Sequence, residues 1–235
     1  MIESVNNERI KEFAKLNTKK YRDETGMFIV EGEHLVEEAI KYMEVVEIFS
    51  LDGRENSTQV SEAVMAKLSD LKTPPKVLAV LKKKKPDYPG AYSIVLDNIQ
   101  DPGNLGTIIR SAKAFDFDSI VLSEDSVDEY NSKVIRASEG MMFSTNIVRM
   151  NLKDFLLDIK DECDIYTTDV NGGEDIKNIH SEWPPVLIMG NEGNGVRPEI
   201  ASLADKRVYI PMSDEVESLN VGVAASILMY EISRK

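Results

Sequence analysis

Between Val186 and Asn220 the chain switches abruptly between apolar runs and turn residues, and this stretch limits the folds open to it. Val186-Leu187-Ile188-Met189 breaks at once into Gly190-Asn191-Glu192-Gly193-Asn194-Gly195. A short apolar run bounded by turn residues is the pattern of a strand buried on both faces. A second run, Val208-Tyr209-Ile210, ends at Pro211, and Ser218-Leu219-Asn220 heads a long helix of small residues. The glycines allow φ > 0 and a close approach of backbone to a ligand. Two buried strands with polar loops at their ends predict the carboxyl edge of an open α/β sheet, where such sheets bind ligands.

The rest of the chain fits that frame. Helical spacing marks Asn7–Leu16, Gly32–Tyr42 and Ser57–Leu68, and apolar runs mark strands at Met27–Val30, Val45–Leu51 and Val77–Leu81. Their alternation predicts a small α/β domain. Lys82-Lys83-Lys84-Lys85-Pro86 through Gly90 then reads as a linker, which divides the chain into residues 1–88 and 89–235. In the second part, strands at Ser93–Asp97, Ser119–Leu122, Thr145–Val148 and Ile165–Thr168 alternate with helices at Leu105–Phe115, Asn131–Glu139 and Leu152–Lys160. Asn98–Gly106 reads as a loop, Gly140 as a helix cap and Asn171-Gly172-Gly173 as a turn. The expected fold is α/β: a parallel sheet flanked by helices, plus the smaller N-terminal α/β domain.

Charge separates the two parts. Residues 1–90 carry 15 basic against 16 acidic residues, and residues 91–235 carry 13 against 25, within a net charge of −13. A polyanion is repelled by the second part as a whole, so any nucleic acid must be drawn by the first part and by local basic spots. Lys15, Lys19, Lys20 and Arg22 around Tyr21 form one such spot; a solvated helix end fits the same residues. The single cysteine, Cys163, allows no internal disulfide and suits a reducing cytoplasm. The polar opening Met1-Ile2-Glu3-Ser4 does not resemble a secretory leader, and no apolar run reaches membrane-spanning length.

Several chemistries are disfavoured. Two histidines and one cysteine outside any ligand pattern leave no zinc site of the usual composition. No G-x-S-x-G elbow is present for a serine hydrolase. Gly190–Gly195 has P-loop spacing, but Val196-Arg197 stands where Lys-Ser/Thr is required, and the glycine order is wrong for a dinucleotide fingerprint.

Three motifs together resemble the SpoU (TrmH) family of the SPOUT superfamily, S-adenosylmethionine-dependent RNA ribose 2′-O-methyltransferases. They are Leu96-Asp97-Asn98-Ile99-Gln100-Asp101-Pro102-Gly103-Asn104-Leu105-Gly106 continuing to Arg110, then Ile188–Val196, then Val208–Met212 continuing to Glu217-Ser218-Leu219-Asn220-Val221. The first part resembles the substrate-binding domain that precedes many such catalytic domains, through Lys19-Lys20-Tyr21-Arg22 and Phe28-Ile29-Val30-Glu31-Gly32. The resemblance implies a C-terminal deep trefoil knot, a homodimer with the site near the subunit interface, and S-adenosyl-L-methionine as cofactor without metal. It also implies Gly190, Ile210 and Leu219 as cofactor contacts, and Asn104, Arg110, Glu192, Ser218 and Asn220 as the polar residues of the reaction centre. The sequence departs from the family pattern at Phe143–Ile147, at Gly222 and at Glu139.

Taken singly, Asn104 and Ser218 fit equally well as N-caps of the helices that follow them, Arg110 as a solvated arginine and Glu192 as a turn residue. Gly222, Ala224, Ala225 and Ser226 suit close packing of the last helix, against its own sheet or a second subunit. The expected partner is structured RNA, ribosomal RNA ahead of tRNA. A tRNA ribose methyltransferase and a non-catalytic RNA-binding protein retaining the pocket are the alternatives.

Overall fold

A computed structural model describes residues 1–170 and 172–234, and the chain divides into two compact units. Unit 1 comprises Met1–Lys85 and Tyr130–Ser144; unit 2 comprises Pro86–Glu129 and Thr145–Lys235. The chain therefore passes between units three times, where the linker reading allows for one passage. Among the described residues no helix is long and apolar enough to cross a membrane.

In unit 1 the strands β1 (Met27–Glu31), β2 (Val45–Ser50), β3 (Thr58–Gln59) and β4 (Val77–Lys82) form a mixed sheet of order β1-β4-β2-β3. β4 runs antiparallel to both neighbours and β3 parallel to β2. Alternation along β1 sends its side chains to two faces. Ile29 joins Ile10, Phe13, Leu16, Phe49 and Leu78 under α1 (Glu8–Ala14) and α4 (Glu62–Leu68). Phe28 meets Tyr130 and Phe143, at ring-centre distances of 4.7 and 6.4 Å. The excursion Tyr130–Ser144, with α6 (Ser132–Ala137), thus brings buried Val134, Ile135, Met142 and Phe143 into this unit. Two further helices of the unit are α2 (Lys19–Thr25) and α3 (Glu33–Ala39).

The expected helix Ser57–Leu68 is shorter than its apolar spacing suggests. Thr58–Gln59 pairs with β2 as a strand, and Ser61 caps α4 by accepting from the Val64 amide at 3.3 Å. The expected helix Asn131–Glu139 stops at Ala137, after which Glu139 (φ 50°) and Gly140 (φ 82°) are both left-handed.

Among its described residues, unit 2 is built on seven parallel strands in the order β7-β6-β5-β10-β8-β11-β9. They are β5 (Ser93–Leu96), β6 (Ser119–Leu122), β7 (Asn146–Arg149), β8 (Asp164–Thr168), β9 (Glu174–Asp175), β10 (Pro185–Met189) and β11 (Lys206–Tyr209). Val95, Val121, Ile165, Val186 and Ile188 pack on one face with α7 (Leu152–Asp158) and with Ile200 of α8 (Pro198–Ala201). α5 (Pro102–Ala114) packs against β6, and α9 (Val221–Ser233) against β10 and α5. β10 is buried as expected, but only Val208 is fully buried in β11, which sits next to the edge. Asn171, the first residue of the expected turn, lies outside the described residues; β9 was not anticipated.

The chain leaves β5 in one direction along the sheet and returns on the other side, so β5 and β10 flank the reversal of strand order. Their carboxyl-end loops are adjacent, which makes this the natural cleft of the sheet. An ion pair with a buried carboxylate ties them. Asp97, fully buried after β5, accepts from the Arg197 amide (2.8 Å) and from its Nε (2.8 Å) and Nη2 (2.5 Å). The hydrogen bond to Asp97 holds the Arg197 guanidinium above its ordinary pKa, against the lowering effect of burial.

Between those anchors the glycine loop closes on itself. Asn191 and Gly195 exchange amide-to-carbonyl hydrogen bonds of 3.0 and 2.9 Å. A Cβ on Gly190 would lie 2.1 Å from the Gly195 carbonyl carbon and from the Val196 nitrogen. Gly195 alone of the three glycines needs a positive φ, 67°. Gly190→Ala should therefore force the loop open, costing about 3 kcal/mol, as overpacking against fixed backbone does; urea unfolding should show it as a lower midpoint at unchanged slope. Asp97→Ala should cost about 2 kcal/mol, since it strips three donors of a charged acceptor while Arg197 stays partly solvated; thermal unfolding monitored by circular dichroism checks this.

Candidate active site

Three loops converge at the cleft, and one asparagine links them. α5 begins earlier than its apolar spacing suggests. Asp101 caps it by accepting from the Asn104 amide at 2.8 Å, and Pro102 takes the first turn, where no amide donor is needed. Asn104 is consequently not a cap. It stands inside the first turn, its amide group free to face the loops.

Asn104 Nδ2 donates to Glu192 Oε1 at 2.6 Å, and Asn104 Oδ1 accepts from Asn220 Nδ2 at 2.9 Å. Asn220 Oδ1 in turn accepts from the amides of Gly222 (3.0 Å) and Val223 (3.2 Å), so Asn220, not Ser218, is the cap of α9. This chain fixes its own orientation. The helix amides can only donate, which turns the Asn220 oxygen toward them and its NH2 toward Asn104. Asn104 must then accept on one side and donate on the other, to a carboxylate that can only accept. One amide hydrogen on each asparagine and Glu192 Oε2 are left over.

The loops are braced behind this network. Asn191 Nδ2 donates to the Asn98 carbonyl at 2.9 Å, while its Oδ1 accepts from the Gly193 (2.9 Å) and Asn194 (3.3 Å) amides. Asn98 itself holds φ 59°, a left-handed conformation that asparagine tolerates. α9 lies close on α5 through small residues: Ser111 and Ser226 hydroxyls are 2.6 Å apart, and a Cβ on Gly222 would approach Thr107 to 3.2 Å. Gly222 and Ser226 thus pack on a helix of the same chain, while α9 also meets β10 of its own sheet, one of the two readings of that face.

The other expected site residues are placed differently. Arg110 lies six residues beyond Asn104 within α5, about 120° around the helix axis. It is exposed and, among the described residues, has no hydrogen-bond or ionic partner. Ser218 is exposed near the network without joining it, and Ile210 and Leu219 are half-buried. Neither the Ile210 nor the Leu219 amide enters a backbone hydrogen bond among the described residues. Sequence reasoning assigned no role to Asp97, Arg197 or Asn191. The available hint was that each stands at the end of an apolar strand, inside the glycine loop or just after it; which partner each meets depends on strand order.

The basic spot of unit 1 is less cationic than its composition. Lys15 pairs with Glu12 (2.7 Å), Lys19 with Asp23 (2.7 Å) and Lys20 with Glu24 (3.9 Å). Arg22 is buried and donates to the Leu16 carbonyl at 2.8 Å. Tyr21 stays partly open, with Lys15 and Lys20 nitrogens 5.2 and 5.9 Å from its ring centre.

Comparison with known proteins places this geometry. The chain is 37% identical to the 23S rRNA (guanosine(2553)-2′-O)-methyltransferase RlmP of Bacillus subtilis, with 98% of each chain covered. The fold matches the AdoMet-bound rRNA methyltransferase from Sinorhizobium meliloti with a TM-score of 0.89 at 29% identity, covering 99% of this chain and 97% of that one. It matches the SpoU methyltransferase AviRb from Streptomyces viridochromogenes, in complex with AdoMet, with a TM-score of 0.85 at 25% identity, covering 97% and 98%. Residues 7–79 match the MRM3-like substrate binding domain, and residues 91–230 match the model of the SpoU rRNA Methylase family. With that model spanning more than half of the chain, the protein belongs to the SpoU rRNA methylase family.

Proposed function

We propose that the protein transfers a methyl group from S-adenosyl-L-methionine to a ribose 2′-hydroxyl of ribosomal RNA. The observation that carries this reading is the Asn104–Glu192–Asn220 network, which joins one residue from each of the three loops at the carboxyl edge. Its spare donors and acceptor suit a sugar hydroxyl. The residues beside it fit the donor: Ile210 and Leu219 offer half-buried apolar surface and backbone amides, and buried Gly190 lets the loop 191–195 close against its own backbone. S-adenosylmethionine, when bound, supplies a sulfonium methyl group open to in-line attack.

The chain's own residues do the rest. Asn104 and Asn220 align the ribose, and Glu192 holds Asn104 in the donating orientation. Arg110 engages a substrate phosphate and stabilises the negative charge that develops as the hydroxyl's proton passes to solvent water; guanidinium is too weak a base to take that proton itself. Its freedom supports the role. Among the described arginines of unit 2, Arg149 pairs with Glu129, Arg197 with Asp97 and Arg207 with Asp169, and Arg234 bonds the Tyr230 hydroxyl. Ser218, exposed two residues before Asn220, is available to hydrogen-bond the ribose.

The same reading extends to assembly. Unit 2 acts as the methyltransferase domain and unit 1, including Tyr130–Ser144, as an RNA substrate-binding domain of a cytoplasmic enzyme, so the expected division at residue 88 holds except for that excursion. We infer the trefoil knot from membership of the family; the path after β10, which passes β8 to reach β11 and returns so that α9 packs on β10 and α5, is compatible with it. A homodimer would cover Val223, Ile227 and Tyr230, an exposed apolar stripe at helical spacing along α9.

Arg110→Ala should leave folding intact and lower kcat/KM for rRNA methylation about 100-fold, as loss of one charge-stabilising donor does; tritium transfer from labelled S-adenosylmethionine measures it, and wild-type activity would reject the role. Asn104→Ala should cost a similar factor, because it leaves Glu192 and the Asn220 amide without their common partner.

A further inference from the structure

β7 ends on Arg149, whose guanidinium makes five contacts outside the network described above. Nη1 donates to the carbonyls of Ser123 (2.8 Å), Glu124 (3.2 Å) and Ser126 (2.9 Å). Nη2 donates to the Val127 carbonyl (2.7 Å) and to Glu129 Oε2 (2.6 Å). Four carbonyls and a carboxylate thus converge on the two terminal nitrogens of one planar fork, Nη1 sharing its two hydrogens among three carbonyls, a spread of acceptors that a lysine ammonium cannot span. The segment it grips carries Glu124, Asp125, Asp128 and Glu129, and the guanidinium offsets their mutual repulsion.

That turn is also the support of the loop leading into α5. The Ser123 hydroxyl accepts from the Asn98 amide at 2.9 Å and the Ser126 hydroxyl from the Ile99 amide at 3.2 Å. The Val127 amide donates to the Ile99 carbonyl at 2.8 Å, and Gln100 Nε2 donates to the Asp125 carbonyl at 2.8 Å. Asn98 then receives Asn191 through its carbonyl, and Asp101 sets the start of α5. Every link from Arg149 to Glu192 and to Asn104 is therefore a hydrogen bond or one or two residues of chain.

We propose that Arg149 is a positioning residue for methyl transfer: by fixing the turn 123–129 it fixes the loop 98–100, and through that loop the distance between the Glu192 loop and the first turn of α5. This role rests on the functional reading above. Misplacement of reacting groups by about 1 Å costs up to about 100-fold in rate, so the effect belongs in turnover and not in ligand affinity.

The test uses Arg149→Lys and Ser126→Ala in the full chain, with methylation of rRNA as the assay and circular dichroism to measure the folded fraction. Arg149→Lys should lower kcat about 10- to 100-fold, while KM for S-adenosylmethionine and for RNA stays within about twofold. Ser126→Ala, which removes the acceptor for the Ile99 amide and the partner of the Ser123 hydroxyl but keeps the carbonyl that Arg149 grips, should show the same split with a smaller loss. The double variant should lose less than the product of the two effects, since both act through one turn. Wild-type kcat in the variants, or losses that merely follow the folded fraction, would overturn the role. If Arg149→Lys does not fold, Ser126→Ala decides alone, and an unchanged kcat there is fatal. Wild-type protein inert toward rRNA would overturn the functional reading and this role with it; active wild-type protein with unaffected variants overturns this role alone.

Discussion

The pairing of Asp97 with Arg197 holds the carboxyl edge of the large sheet together. A fully buried carboxylate is tolerable only if its charge is met and its oxygens are hydrogen-bonded. Here one residue supplies both, through its backbone amide and its guanidinium. Because Asp97 follows β5 and Arg197 follows the glycine loop of β10, the pair locks adjacent strands at the point where strand order reverses. The closed loop 191–195, the Asn191 brace and the placement of Glu192 opposite Asn104 all follow from that lock.

The network at the cleft shows how a few polar side chains define a unique arrangement. Each asparagine amide could be reversed in isolation, but the α9 amides fix Asn220, Asn220 fixes Asn104, and the Glu192 carboxylate terminates the series. One helix end therefore determines hydrogen-bond polarity across three loops. In the proposed reaction this matters because the groups left free point donors and an acceptor at the substrate without reorganisation.

Charge is divided more sharply by the structural units than by sequence halves. Unit 1 holds 17 basic against 16 acidic residues, and unit 2 holds 11 against 25. Unit 2 also uses much of its positive charge internally, at Arg149 and Arg197. An RNA substrate would approach such a surface against its mean field, so attraction must come from unit 1 and from exposed cations such as Arg110. Even in unit 1 the spot around Tyr21 is largely paired, which leaves stacking on the ring as much of a resource as charge.

The sequence by itself determined the class of fold, the buried character of β10, the glycine loop after it and the family. These are local properties: apolar run length, turn residues and motif spacing survive without knowledge of what lies opposite. It did not determine where α5 starts, because Asp101-Pro102 and Asn104 are both good helix-start residues and only the contact with Glu192 and Asn220 shows Asn104 engaged elsewhere. It did not show that Tyr130–Ser144 belongs with the first unit, since its apolar residues fit any core and Phe28 decides which. Nor did it mark Asp97, Arg197 or Arg149, whose partners are 20 to 100 residues away in sequence. Strand order brings those charges together, and strand order is a global property: it is settled by which sheet buries the most apolar surface with all backbone groups paired, not by any single stretch of chain.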